Sequence, residues 1–163
     1  MLVFRNSQQK PAGAWDQFLG HLLGKNPRLD GRSVAPLKRK TTVLLAEHEA
    51  SVREFSALVL RSLGCRVLEA ADGREALAMV RRYRRRQIDL MVTDLLMPVV
   101  GGKELADRLL KAVPDSRVLV SGTYPESMAR RLFQLGDNVT FLQKPYTSQA
   151  LAQKVQQLLA IPV

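Results

Sequence analysis

The sequence predicts an α/β fold: five strand–helix units wound on both sides of one parallel sheet, preceded by a short basic extension. Three observations predict it. Residues 88–93 are mostly apolar with no helical period, which suits a strand buried on both faces. From Thr41 onward, such runs alternate with helical patterns five times. Asp94, Ser121 and Lys144 each stand at the carboxyl end of an expected strand, where open α/β sheets place ligands and chemistry.

The totals set the frame. A chain of 163 residues makes one domain with room for a modest extra element, and a hydrophobic share of 46% allows a real core. No apolar stretch reaches membrane-spanning length. Arg5, Gln8 and Gln9 interrupt any signal-peptide layout at the start. The single cysteine, Cys65, excludes an internal disulfide and fits a reducing cytoplasm, the expected location. Two histidines, His21 and His48, are too few for a Cys/His zinc cluster. The net charge of +10 divides as +6 over residues 1–40 and +4 over the rest. That balance favours acidic partners without choosing among nucleic acid, anionic lipid and an acidic protein face.

Residues 1–40 read as the extension, punctuated by Pro11, Gly13, Gly24, Pro27, Gly31 and Pro36. Within it Trp15, Phe18, Leu19, Leu22 and Leu23 share one face of a short amphipathic helix over 14–23. That helix either docks, on the main domain or a partner, or the segment is a leader without fixed structure. The main domain is expected over 41–161. Thr42 to Ala46 is its first strand. Ser51 with Glu54 reads as a capping box opening a helix that Gly64 closes. Arg66 to Ala70 is the second strand, and Asp72 with Glu75 repeats the capping pattern. The next helix runs into Arg81, Arg82, Arg84, Arg85 and Arg86, basic residues that complement a helix C-terminus. The third strand is 88–93. A helix over 102–113 ends at Pro114, and 117–121 is the fourth strand. Pro125 suits a helix start and Gly136 its end. Val139 to Gln143 is the fifth strand. Thr147 or Ser148 caps a last helix with Leu151, Val155, Leu158 and Leu159 inward. Right-handed crossovers then give a (βα)5 domain of strand order 2-1-3-4-5, the flavodoxin-like doubly wound order.

The strand ends carry the chemistry. The first is followed by Glu47, His48 and Glu49, the third by Asp94, the fourth by Ser121 and Gly122, and the fifth by Lys144 and Pro145. Alone, Asp94 reads equally as a turn residue. Together the set is costly to crowd for packing alone and suits phosphoryl chemistry. Carboxylates hold a hard divalent cation, usually Mg²⁺. An Asp carboxylate can attack phosphorus, and an ammonium and a hydroxyl can bind the oxygens of the transferred group.

From about Thr42 to Leu159 the chain resembles the receiver domain of two-component response regulators. The resemblance is carried by residues 43–49, by Asp94 to Pro98 with Gly102, by Ser121-Gly122, and by Phe141 to Tyr146. The wording of 66–70 and 141–146 is most similar to receivers of hybrid sensor kinases. The resemblance implies that Asp94 accepts a phosphoryl group from a histidine kinase or histidine phosphotransfer protein. It implies Mg²⁺ on the acid at the end of the first strand, here Glu47, with Asp94 and the Leu96 carbonyl. It further implies Ser121 and Phe141 as switch residues, Lys144 on a phosphoryl oxygen, and a cis Lys144–Pro145 bond. A charge added at Asp94 would then bias the face made by the fourth strand, fourth helix and fifth strand.

Three departures stand out. Where the family has two adjacent acids, this chain has Glu47 and His48, so the metal site is expected to be weakened. His48 reads either as a polar residue capping its turn or as a pH-sensitive or altered metal site. The fourth strand is one residue short before Ser121, and Leu96 offers no polar group to position a hydrolytic water. The competing function is a degenerate receiver, an interaction module independent of phosphorylation. Enzyme classes fit poorly. A haloacid-dehalogenase-like phosphatase would need an Asp where Leu96 stands, and a nucleotide-binding loop would need glycine after the first strand. The chain stops at Val163 just after the last helix, so a following DNA-binding domain is not expected. Output is expected through a protein contact, and nucleic-acid contact through the basic extension has no motif behind it.

Overall fold

The computed structural model describes residues 41–83 and 88–160. The expected helix over 14–23, the rest of residues 1–40, and Arg84, Arg85 and Arg86 lie outside the described residues. The element order is β1 (Thr42–Ala46), α1 (Ala50–Ser62), β2 (Arg66–Ala70), α2 (Gly73–Arg82), β3 (Leu90–Asp94), α3 (Gly102–Ala112), β4 (Arg117–Gly122), α4 (Glu126–Phe133), β5 (Val139–Gln143) and α5 (Ser148–Ala160). The five strands form one parallel sheet in the order β2-β1-β3-β4-β5. This is the doubly wound order the alternation predicts.

Strand periodicity divides the core into two layers. Leu44 and Ala46 of β1, Met91 of β3, Val118 and Val120 of β4, and Val139 and Phe141 of β5 belong to one buried cluster. Ala76, Leu77 and Val80 of α2, Leu105 and Leu109 of α3, and Ala129 of α4 complete it. The alternate residues Val43, Leu45, Leu90, Val92 and Leu119 are equally buried toward the opposite layer, where α1 and α5 pack together.

Local signals behave as their chemistry dictates, with four corrections. Asp72 caps α2: its Oδ1 accepts the Arg74 and Glu75 amides at 2.8 Å, while Glu75 reaches back to the Ala71 amide at 2.7 Å. Thr147 Oγ1 caps α5 through the Ala150 amide. Gly64 takes φ 85° after α1, the left-handed conformation glycine adopts without strain. The Ser51–Glu54 capping box is not formed. Glu49 is the N-cap and makes no side-chain cap bond, and the Ser51 hydroxyl donates instead to its carboxylate. The third strand begins at Leu90 rather than Ile88, because the Asp89 carboxylate turns back to accept the Thr42 amide at 2.8 Å. Asp94 closes that strand from within it. Gln134, not Gly136, takes the left-handed turn after α4, at φ 50°. The helix over 102–113 stops at Ala112, with Val113 as its C-cap before Pro114.

Candidate functional site

The parallel register lines up the functional strand ends. Ala46 pairs with Thr93, Asp94 with Ser121, and Gly122 with Gln143, one residue before Lys144. The fourth strand is not short here: β4 runs six residues to Gly122, and its register sets Ser121 directly opposite Asp94. Glu47 follows β1, and its amide continues the ladder to the Ala70 carbonyl. Its loop is braced from α1 by the Arg53 guanidinium, which donates to the Glu47 carbonyl at 2.8 Å.

Asp94 is held by close backbone packing. A Cβ at Gly102 would lie 2.2 Å from the Asp94 carbonyl oxygen, so only glycine lets α3 start this close to β3. The Leu95 amide donates to the Ser121 carbonyl at 2.7 Å, and the Leu96 amide points to Asp94 Oδ1 at 3.4 Å. Beyond it Val99 holds φ 69°, a strained conformation for a β-branched residue.

Four charged or titratable groups meet at this rim. Glu47 is 2% exposed and Asp94 5%. Lys144 Nζ donates to Glu47 Oε2 at 2.7 Å and faces Asp94 Oδ2 at 3.4 Å. His48 Nδ1 lies 3.0 Å from Asp94 Oδ2 and 3.3 Å from Glu47 Oε1, with its side chain 45% exposed. Burial disfavours the Lys144 ammonium, but the hydrogen bond to Glu47 and the charges of Glu47 and Asp94 outweigh it. Its pKa therefore stands above the ordinary lysine value.

The remaining expected residues sit in the second rank. The Ser121 hydroxyl is buried and points toward the Thr93 carbonyl at 3.5 Å. Phe141 is turned inward, its ring against Gly122. The Lys144–Pro145 peptide is cis, as the resemblance implies. Two residues to which sequence reasoning gave no role join them. The Tyr146 hydroxyl pairs with the buried Ser56 hydroxyl at 3.1 Å and also interacts with Ser121, tying α1 to the end of β4. Burial, the largest influence, pushes the Tyr146 hydroxyl pKa up. The place of Tyr146 two residues after Lys144 was the one signal available in the sequence.

The model of the response regulator receiver domain family matches residues 43–156. The chain belongs to that family. Its receiver is similar to the sensor kinase CckA of Brucella abortus (strain 2308), with 34% identity over 167 residues. That alignment covers 96% of this chain and 18% of the kinase, so the chain spans under a fifth of that relative's length. The crystal structure of the receiver domain from the hybrid histidine kinase CckA superposes with a TM-score of 0.62 at 34% identity. The match covers 72% of this chain and 98% of that one. The chemotaxis response regulator CheY4 of Vibrio cholerae gives a TM-score of 0.62 at 27% identity, covering 74% of this chain and all of its own. Receivers of two-component systems serve in general as phosphoacceptor switches rather than as conventional enzymes. No helix among the described residues is long and apolar enough to cross a membrane.

Magnesium is typical of the family, and the rim gathers two of its expected ligands, Glu47 and Asp94. The third donor is an imidazole nitrogen where the family has an acid. Mg²⁺ demands oxygen ligands and a strict octahedron. The residues present therefore do not fit Mg²⁺ as an all-oxygen site does, and no chemical step is assigned to it.

Proposed function

We propose that this receiver accepts a phosphoryl group on Asp94 from a phosphohistidine of a histidine kinase or phosphotransfer protein. The observation that supports it is the convergence of Lys144 Nζ, within 3.4 Å of Asp94 Oδ2, and Ser121, paired opposite Asp94 in the sheet. A carboxylate oxygen of Asp94 attacks phosphorus, an O–P bond forms, and the P–N bond to the donor imidazole breaks; the departing imidazole nitrogen takes up a proton. Lys144 offsets negative charge on the transferred group. Ser121 leaves the Thr93 carbonyl and Tyr146 to donate to a phosphoryl oxygen, and Phe141 moves with it. The new charge thereby reaches the face formed by β4, α4 and β5, which engages a protein target. Residues 41–161 are the switch and residues 1–40 an appendage to it.

The test is incubation with a small-molecule phosphodonor and a divalent cation, followed by intact-mass measurement. Wild-type protein gains one phosphoryl group and Asp94→Asn gains none. A gain that survives Asp94→Asn overturns the reading. The second reading, a receiver that works by contact alone, is favoured by one observation: His48 stands where the second acid belongs. Absence of any gain with every donor and cation would select it.

A further inference from the structure

We propose that the Glu47–His48–Asp94 rim takes a divalent first-row transition cation in preference to Mg²⁺, with His48 Nδ1 as the ligand that sets the preference. The inference deepens the phosphoacceptor reading and rests on it for the cation's purpose, while the donor atoms supply its own basis.

The geometry is already near that of a coordination shell. One oxygen from each carboxylate and one ring nitrogen of His48 lie within 4.8 Å of one another. Ligands about 2.1 Å from an octahedral ion sit roughly 3.0 Å apart when adjacent. His48 Nδ1 is 3.0 Å from Asp94 Oδ2 and 3.3 Å from Glu47 Oε1, so a cation can touch all three donors with small adjustments. The Lys144–Glu47 pair need not break: Lys144 holds Oε2 of Glu47, whereas Oε1, which also accepts the Glu49 amide at 3.0 Å, is the oxygen turned toward His48, and at Asp94 the cation shares Oδ2 with the longer 3.4 Å contact to Lys144.

Charge and access agree. Two nearly buried carboxylates face a single ammonium, which leaves this rim with negative charge to offset. The half-exposed His48 marks the open side, where water can complete a coordination shell. Chemistry decides between cations. Imidazole nitrogen binds borderline ions such as Co²⁺, Ni²⁺ and Zn²⁺ well, whereas hard Mg²⁺ prefers carboxylate, carbonyl and water. Replacing one acid by histidine removes a unit of negative charge that Mg²⁺ uses and supplies a nitrogen that transition ions use.

The experiment is calorimetric titration of the untagged full chain with Co²⁺ and, separately, Mg²⁺, in one buffer at about pH 8. The visible spectrum of bound Co²⁺ is recorded alongside. His48→Ala keeps His21, so any binding there is carried through as background. Because losing an outer partner alone costs metal sites 10–100-fold, His48→Ala should weaken Co²⁺ by at least roughly ten-fold and Mg²⁺ by less than about three-fold. Its Co²⁺ spectrum should change. His48→Asp should strengthen Mg²⁺ and narrow the preference. The proposal is overturned if His48→Ala leaves Co²⁺ affinity and spectrum unchanged, if it weakens both ions equally, or if neither ion binds. No phosphodonor is present, so a receiver that binds Co²⁺ through His48 yet never phosphorylates would sink only the phosphoacceptor reading. Asp94 phosphorylation with no role for His48 in metal binding would sink only this one.

Discussion

Lys144→Met removes the ammonium that faces two carboxylates, and its cost can be worked from the structure. At an effective dielectric of 20, contacts of 2.7 Å to Glu47 and 3.4 Å to Asp94 correspond to gross attractions of about 6 and about 5 kcal/mol. Desolvating the three groups offsets most of this. Breaking a buried pair by removing one partner costs ~3–5 kcal/mol, because the other charge is left uncompensated. The rim is open on its half-exposed His48 side, where water partly screens the stranded carboxylates, so the expected loss is about 2–4 kcal/mol. The assay is urea unfolding of wild type, Lys144→Met, Glu47→Gln and the double variant. If the loss comes from a stranded carboxylate, Glu47→Gln should recover half or more of it in the Lys144→Met background. Pairs in contact show coupling energies of about 0.5–3 kcal/mol, and this one should fall in the upper half of that range. A Lys144→Met variant within about 0.5 kcal/mol of wild type, the scatter of an ordinary surface change, would refute the reasoning. So would a double variant no more stable than Lys144→Met alone.

Three further outcomes follow from single positions. Gly102→Ala should destabilise the fold by roughly 3 kcal/mol or more, because its Cβ meets Asp94 backbone that cannot rotate away; urea unfolding reads this, and a loss under about 1 kcal/mol contradicts it. Val99→Gly should raise stability by about 0.5–1 kcal/mol: relief of left-handed strain at φ 69° exceeds the entropy glycine adds to the unfolded chain. Thermal unfolding should show a rise of about 1–4 °C, and a fall would contradict it. Burial, with a contribution from Asp89, pushes the Cys65 thiol from 9.0 up to about 11, and Lys144 and Tyr146 also stand above their ordinary values. All three retain protons longer when folded. Their stability contribution is therefore whole below about pH 9 and lost as pH rises through the folded values. For Cys65 alone the loss approaches roughly 2–3 kcal/mol by pH 11, and Cys65→Ala should flatten that limb of the stability–pH curve.

The sequence made the strands legible because each is a short apolar run bounded by breakers, and it made Asp72 legible as a cap because the side chain serves its own helix. Signals with a local competitor were misleading. Ser51 found the Glu49 carboxylate instead of an amide, and the Asp89 side chain took a β1 amide that shortened β3 at its start. Glycine at 136 suggested a helix end, but the turn closes two residues earlier on Gln134. At the site, spacing along the chain gathered Glu47, Asp94, Ser121 and Lys144 at one rim, since topology alone fixes which strand ends are neighbours. It did not reveal which atom faces which. The contact of Lys144 with Glu47, across 97 residues, depends on the rotamers of both side chains. The Tyr146–Ser56 pair spans 90 residues and has no pattern within either segment.

The most direct measurement is chemical trapping of the acyl phosphate. Phosphorylated protein is reduced with borohydride, which converts an aspartyl phosphate to homoserine, and the digest is sequenced by mass spectrometry. The structure predicts homoserine at position 94 and at no other aspartate, with none formed in Asp94→Asn. Homoserine at another aspartate, or none from a preparation that carries a phosphoryl group, would contradict the placement of the chemistry at the end of β3.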